Sequence, residues 1–239
     1  MASGLRPTTI TEQNKLLSLL QISDSLFPTG AFSHSYGLET YVQEGLVTSA
    51  ETLAEFLAAY LLESAATSDC LAMALAYRYA VNEDWDKIAQ LDRMLWAQKI
   101  ARESREASVK TGIRMLQAVK GLVEDPRLVR LKALVDSGEI YGNHGVVYGV
   151  AAGVFGFEIR EAALSYVYAM AAGMVNNALR LIPLGQTEGQ WVLAHIQGLM
   201  TETAGKALGL SLEDLGSSAP ALEIRSMQHE RLYSRMFMS

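Results

Sequence analysis

Four histidines, a single cysteine and one Gly-Lys pair are the side chains of this sequence most suited to chemistry, and their spacing decides what they can do. Gly205-Lys206 has the ending of a phosphate-binding loop. The preceding glycine, however, is Gly198, at the wrong distance, and Ala207 stands where that loop needs Ser or Thr. Nucleotide hydrolysis by this chain alone is not expected. His229-Glu230 begins like a zinc-protease helix, but position 233 is Tyr233 rather than the second histidine. His34, His144, His195 and His229 share no close ligand spacing, and an isolated histidine is more often a hydrogen-bonded structural group than a ligand. Ser33-His34-Ser35 pairs a hydroxyl with a base. On a helix, though, neighbours point about 100° apart, and the Gly-x-Ser-x-Gly elbow of a hydrolase is missing. Cys70 has no second cysteine to bond, cannot form a thiolate cluster within one chain, and lies in the apolar run Cys70-Leu71-Ala72-Met73-Ala74. No constellation carries a reaction by itself, so no catalytic residue, metal or cofactor is expected.

These residues need elements to hold them, and the composition says which kind. Half of the 239 residues are hydrophobic and 19% are charged, enough for a sizeable core. Aromatics are only 8%, while Ala and Leu are abundant, which favours helices. A net charge of −6 argues against nucleic acid, whose phosphates call for a basic stripe. The runs 145–157 and 162–175 are apolar but too short for a membrane span, which takes about 20 residues. The start of the sequence lacks a basic stretch followed by an apolar one, so the expected home is the cytoplasm.

Helix signals recur along the chain. Thr9-Ile10-Thr11-Glu12 and Thr48-Ser49-Ala50-Glu51 have capping-box spacing. Asn82, with Glu83 and Asp84, reads as another helix start, and Asp125-Pro126 sets a cap before a proline. The pattern predicts helices over 31–43, 69–79, 97–119, 159–181 and 187–209. Gly145, Gly149 and Gly153 fall four apart, a stripe without side chains. It reads as the face of a central helix crossed tightly by a neighbour. The expected architecture is all-α, a compact bundle of roughly ten helices over residues 1–216. A linker at Gly216-Ser217-Ser218-Ala219-Pro220 then sets off a short C-terminal tail, 217–239. In that tail Met227, Leu232, Tyr233, Met236 and Phe237 fall on one side of a helix.

Four segments, in order, resemble the family of the urease accessory protein UreF. They are residues 23–40, which contain Phe27-Pro28-Thr29-Gly30-Ala31-Phe32-Ser33-His34-Ser35-Tyr36-Gly37-Leu38-Glu39-Thr40; residues 101–108; residues 144–153 continuing into 177–186; and residues 226–239. Ala31 replaces a glycine found in many members. The resemblance implies an all-α, cytoplasmic, dimeric chaperone for nickel insertion, not an enzyme. It further implies binding to UreD (also called UreH), recruitment of the GTPase UreG, and action on apo-urease. It places the UreD/UreH contact on the tail, at Arg225, Ser226, His229, Glu230, Arg231, Tyr233, Arg235 and Phe237. Further partner or dimer candidates are Phe32, His34, Tyr36, Glu39, Arg102, Arg105 and Arg180. The bland alternatives are a tail folded back on its own domain, and Phe32 and Tyr36 serving only the core. An arginine reaching the GTPase's nucleotide is conceivable, but the sequence singles none out. Two other functions compete: a general helical adaptor, and a small-molecule enzyme using His34 or His144 in a deep polar cavity.

Overall fold

Helix α8 (His144–Phe155) carries the glycine stripe and shows why the chain folds as it does. Its residues 145–153 are all buried, and α4 (Asp69–Val81) lies directly against it. A Cβ on Gly145 would stand 2.6 Å from the Asp69 carbonyl oxygen. One on Gly149 would strike the Met73 carbonyl oxygen and come within 2.9 Å of both the Ala76 Cβ and the Tyr77 nitrogen. The missing side chains therefore let two backbones touch, as the spacing predicts. In this computed structural model, which describes residues 14–217 and 219–239, the other helices wrap that pair.

The remaining elements, in chain order, are α1 (Lys15–Ser23), α2 (Leu38–Gln43), α3 (Ala50–Ala59), α5 (Trp85–Gln98), α6 (Arg102–Leu122), α7 (Pro126–Asp136), α9 (Ile159–Leu181), α10 (Gln186–His195), α11 (Gln197–Gly209) and α12 (Pro220–His229). Twelve helices and no strand among the described residues make the all-α reading correct. No helix there is long and apolar enough to cross a membrane. Ser49 caps α3 with a reciprocal bond to Thr52, and Asp125 caps α7 ahead of Pro126. The capping box at Thr9 lies outside the described residues.

Several boundaries differ from the sequence pattern, each for a local reason. The helix expected over 31–43 is a short 3-10 turn, Ala31–Ser33, followed by α2. Tyr36 (φ 53°) and Gly37 (φ 87°) are left-handed between them and break the helix. Asp84, not Asn82, caps α5, its carboxylate accepting from the Lys87 amide, while Glu83 takes φ 55°. The helix expected over 97–119 divides at Lys99, whose backbone is extended. Arg105 Nη1 holds the freed carbonyls of Lys99 and Ile100, at 2.6 and 3.0 Å. The helix expected over 187–209 breaks at Ile196, which is fully buried. After α3 the chain continues as a π-helical stretch, Tyr60–Ala65.

Candidate docking site at the tail

The site is assembled around α2. Gly37 has a left-handed backbone, and a Cβ there would sit 2.8 Å from the Ser226 hydroxyl. Its absence lets α12 lie against the start of α2, where the Thr40 hydroxyl donates to the Arg225 carbonyl at 3.0 Å. This close approach turns Glu39, in the first turn of α2, toward the tail.

Glu39 is 2% exposed and His229 is fully buried. His229 Nε2 lies 2.9 Å from Glu39 Oε2, and its Nδ1 lies 2.6 Å from Glu103 Oε2. Each ring nitrogen thus faces a carboxylate oxygen, which can only accept. Arg235 Nη1 donates to the other Glu103 oxygen at 2.6 Å. The backbone amides of Met236 and Phe237 donate to Glu39 at 2.6 and 3.1 Å. A buried histidine flanked by two carboxylates, with an arginine behind one of them, satisfies its charges internally.

The last residues are fastened separately. The Met238 amide donates to the Ser33 carbonyl at 2.8 Å. The Ser35 amide and hydroxyl both donate to the Ser239 carbonyl oxygen, at 2.5 and 2.7 Å. His34 Nδ1 meets the Ser239 hydroxyl at 2.9 Å, and Asn177 Nδ2 donates to the His34 carbonyl at 2.7 Å. Arg180 lies with its guanidinium 4.8 Å from the Phe237 ring centre.

The tail residues named from sequence therefore divide into two groups. Ser226, His229 and Phe237 are buried in the chain's own fold, so they anchor the tail. Arg231, Tyr233 and Arg235 face solvent, and Tyr233 makes no packing contact, at 106% exposure. Arg225 and Glu230 are half-buried, pairing with Glu44 at 2.8 Å and with Arg102 at 3.1 Å. The expectation of one continuous amphipathic helix through Phe237 is corrected: α12 stops at His229. Beyond it, the amides of Met236 and Phe237 use the Glu39 carboxylate instead of helix carbonyls, which turns Phe237 inward and Tyr233 outward. The exposed apolar side chains of the tail are Ile224, Met227, Tyr233, Met236 and Met238.

Among the other candidates, Phe32 is exposed, His34 buried and Tyr36 half-buried. Arg102 bonds Glu230 and pairs with Glu106. Arg105 caps the α5–α6 break and lies over Trp96, which stacks on Tyr141. Arg102, Arg105 and Arg180 are thus all engaged within the chain. His34 and His144 line one cavity of about 110 Å³, with Tyr148, Met170 and Met174 among its walls. Burial, reinforced by the positive charges of Lys110 and Arg114, lowers the His34 pKa to about 4. Burial also lowers that of His144 to about 4, with Lys99 adding to the shift and Asp69 opposing it. Both rings are therefore neutral at pH 7. In sequence Glu103 stands only among the charged residues Arg102, Arg105 and Glu106. Its partner His229 is 126 residues away, so no local signal marks the pair.

Comparison with known proteins decides the family. The family model for UreF matches residues 47–197. A urease accessory protein UreF from Lachnoclostridium phytofermentans is 40% identical over 226 residues, covering 95% of this chain and 99% of the relative. The UreF of Bacillus sp. (strain TB-90) is 37% identical, over 95% of this chain and all of its own. That of Corynebacterium efficiens is 31% identical, over 96% and 99%. This chain belongs to the UreF family. It is accordingly a urease accessory protein, a chaperone-type factor rather than an enzyme, and one that works with other urease maturation factors. The UreF model ends at 197, so α12 and the tail lie beyond it, although the relatives align over nearly the whole chain.

Proposed function

We propose that this UreF-family chain is a scaffold for nickel insertion into apo-urease, with residues 217–239 as its docking tail. It binds UreD/UreH through that tail, recruits the GTPase UreG, and works as a homodimer in the cytoplasm. Nickel is cargo here. Among the described residues no group of three or more His, Cys, Asp or Glu is arranged to hold a metal ion.

The observation that carries the reading is the contrast within the tail. Its buried His229 and the amides of Met236 and Phe237 are satisfied inside the chain, yet it presents Ile224, Met227, Tyr233, Met236 and Met238 to solvent. An ordered ledge with exposed aromatic and methionine side chains suits a protein partner, since its entropy of ordering is already met. The test is binding of purified UreD/UreH to wild type and to Tyr233→Ala/Met236→Ala. These side chains support no core, so the variant should fold normally and bind at least tenfold more weakly. Unchanged affinity would remove the tail from the interface. A pull-down against UreD/UreH, UreG and apo-urease separates this reading from a general adaptor, which would take none of them.

A further inference from the structure

Within the tail, Glu39 has an unusual position. Its carboxylate accepts from three tail donors, His229 Nε2 and the amides of Met236 and Phe237, at 2.9, 2.6 and 3.1 Å. Those bonds span residues 229–237, the stretch in which the chain leaves the helix and turns Tyr233 and Met236 outward. Glu39 is 2% exposed, so it cannot itself touch a protein docked on that face.

We propose that Glu39 is a positioning residue: it sets the shape in which the tail presents its exposed side chains, and thereby partner affinity, without contacting the partner. This rests on the docking role proposed above. The physical reason is that the last carbonyls of α12 take the Arg231 and Leu232 amides, while those of Met236 and Phe237 lie beyond the helix and have no ladder of their own. A fixed buried carboxylate with two acceptor oxygens substitutes for that ladder. The neighbouring attachments do not depend on it. α12 stays seated on Gly37 and Thr40, and the Met238 amide and Ser239 stay bonded to Ser33 and Ser35. Removing Glu39 should therefore loosen the middle of the tail while both of its ends remain attached.

The experiment is amide hydrogen exchange together with binding of purified UreD/UreH, on the full chain, for wild type, Glu39→Ala and Glu39→Gln. In Glu39→Ala the Met236 and Phe237 amides should exchange at least tenfold faster. The Met238 amide should change less, and the amides of α8 not at all. Affinity should fall at least tenfold. Glutamine keeps one acceptor oxygen, which can still take the Met236 amide, so it should restore both readouts in part. A general loss of stability would instead speed α8 as well and show no rescue. Unchanged exchange at Met236 and Phe237 overturns the proposal, as does faster exchange with unchanged affinity. Should Glu39→Ala fail to fold, Glu39→Gln decides on the same two criteria. Failure of the docking role itself is distinguished by full affinity in Tyr233→Ala/Met236→Ala.

Discussion

Replacing Gly149 with alanine tests the packing on which the helical body depends. A methyl group there would collide with the Met73 carbonyl oxygen and reach 2.9 Å from the Ala76 Cβ and the Tyr77 nitrogen. Two of these are backbone atoms of α4 and the third is fixed to it, so none can rotate away; the two helices must separate. Overpacking of this kind costs about 1–3 kcal/mol or more, while alanine recovers about 0.5–1 kcal/mol of helix propensity. The collision is with backbone, which places it at the upper end, for a net loss of about 2–3 kcal/mol. In a chain of this size that corresponds to a Tm lower by about 4–12 °C. Gly153→Ala is the internal control on the same helix, because its nearest neighbours stand at 3.5 Å or more, ordinary contact distance. Gly173→Ala, in the middle of α9 with nothing within 4 Å, should gain about 0.5–1 kcal/mol. Thermal unfolding followed by circular dichroism ranks the three. A Gly149→Ala protein melting with or above wild type would refute the claim that α4 and α8 touch through their backbones.

Two further perturbations follow from buried charge. His34 and His144 have folded pKa values of about 4 against an ordinary 6.5, so the unfolded chain takes up protons that the folded chain refuses. Their stabilisation is complete above pH 6.5 and is lost as pH falls toward 4, about 2 kcal/mol per histidine by pH 5. Urea midpoints at pH 7.5 and 5.0 should therefore differ less in His144→Gln than in wild type; an equal difference would discount His144. Lys99 Nζ sits 2.5 Å from Asp69 Oδ2, with both side chains about nine-tenths buried. Lys99→Met should cost about 3–5 kcal/mol by stranding the carboxylate. The double variant Lys99→Met/Asp69→Asn should recover much of it, and a double variant no more stable than the single would show that the pair's charge is not what matters.

How much could be read from sequence varied with the range of the forces involved. The cap at Asp125 and the four-residue glycine spacing of α8 are local, and each was legible; the capping box read at Thr48 and Glu51 lies one residue early, because Ser49 and Thr52 form the reciprocal pair. Whether a helix continues is a competition between neighbouring bonds and tertiary ones, and there the pattern went astray. The break at Lys99 needs the Arg105 side chain to take two carbonyls, and the break at 33–38 needs a backbone shape that brings α12 onto Gly37.

The amino-acid order by itself determined an all-helical chain with a closely crossed central helix, and it carried the motifs of the UreF family. Only the tertiary structure decided which tail residues anchor and which are displayed. Glu39, Glu103 and His229 are 190 and 126 positions apart as pairs, and each alone reads as an ordinary polar residue. A buried charge is tolerated only once its partners are in place, and those partners meet through packing rather than through any periodicity along the chain.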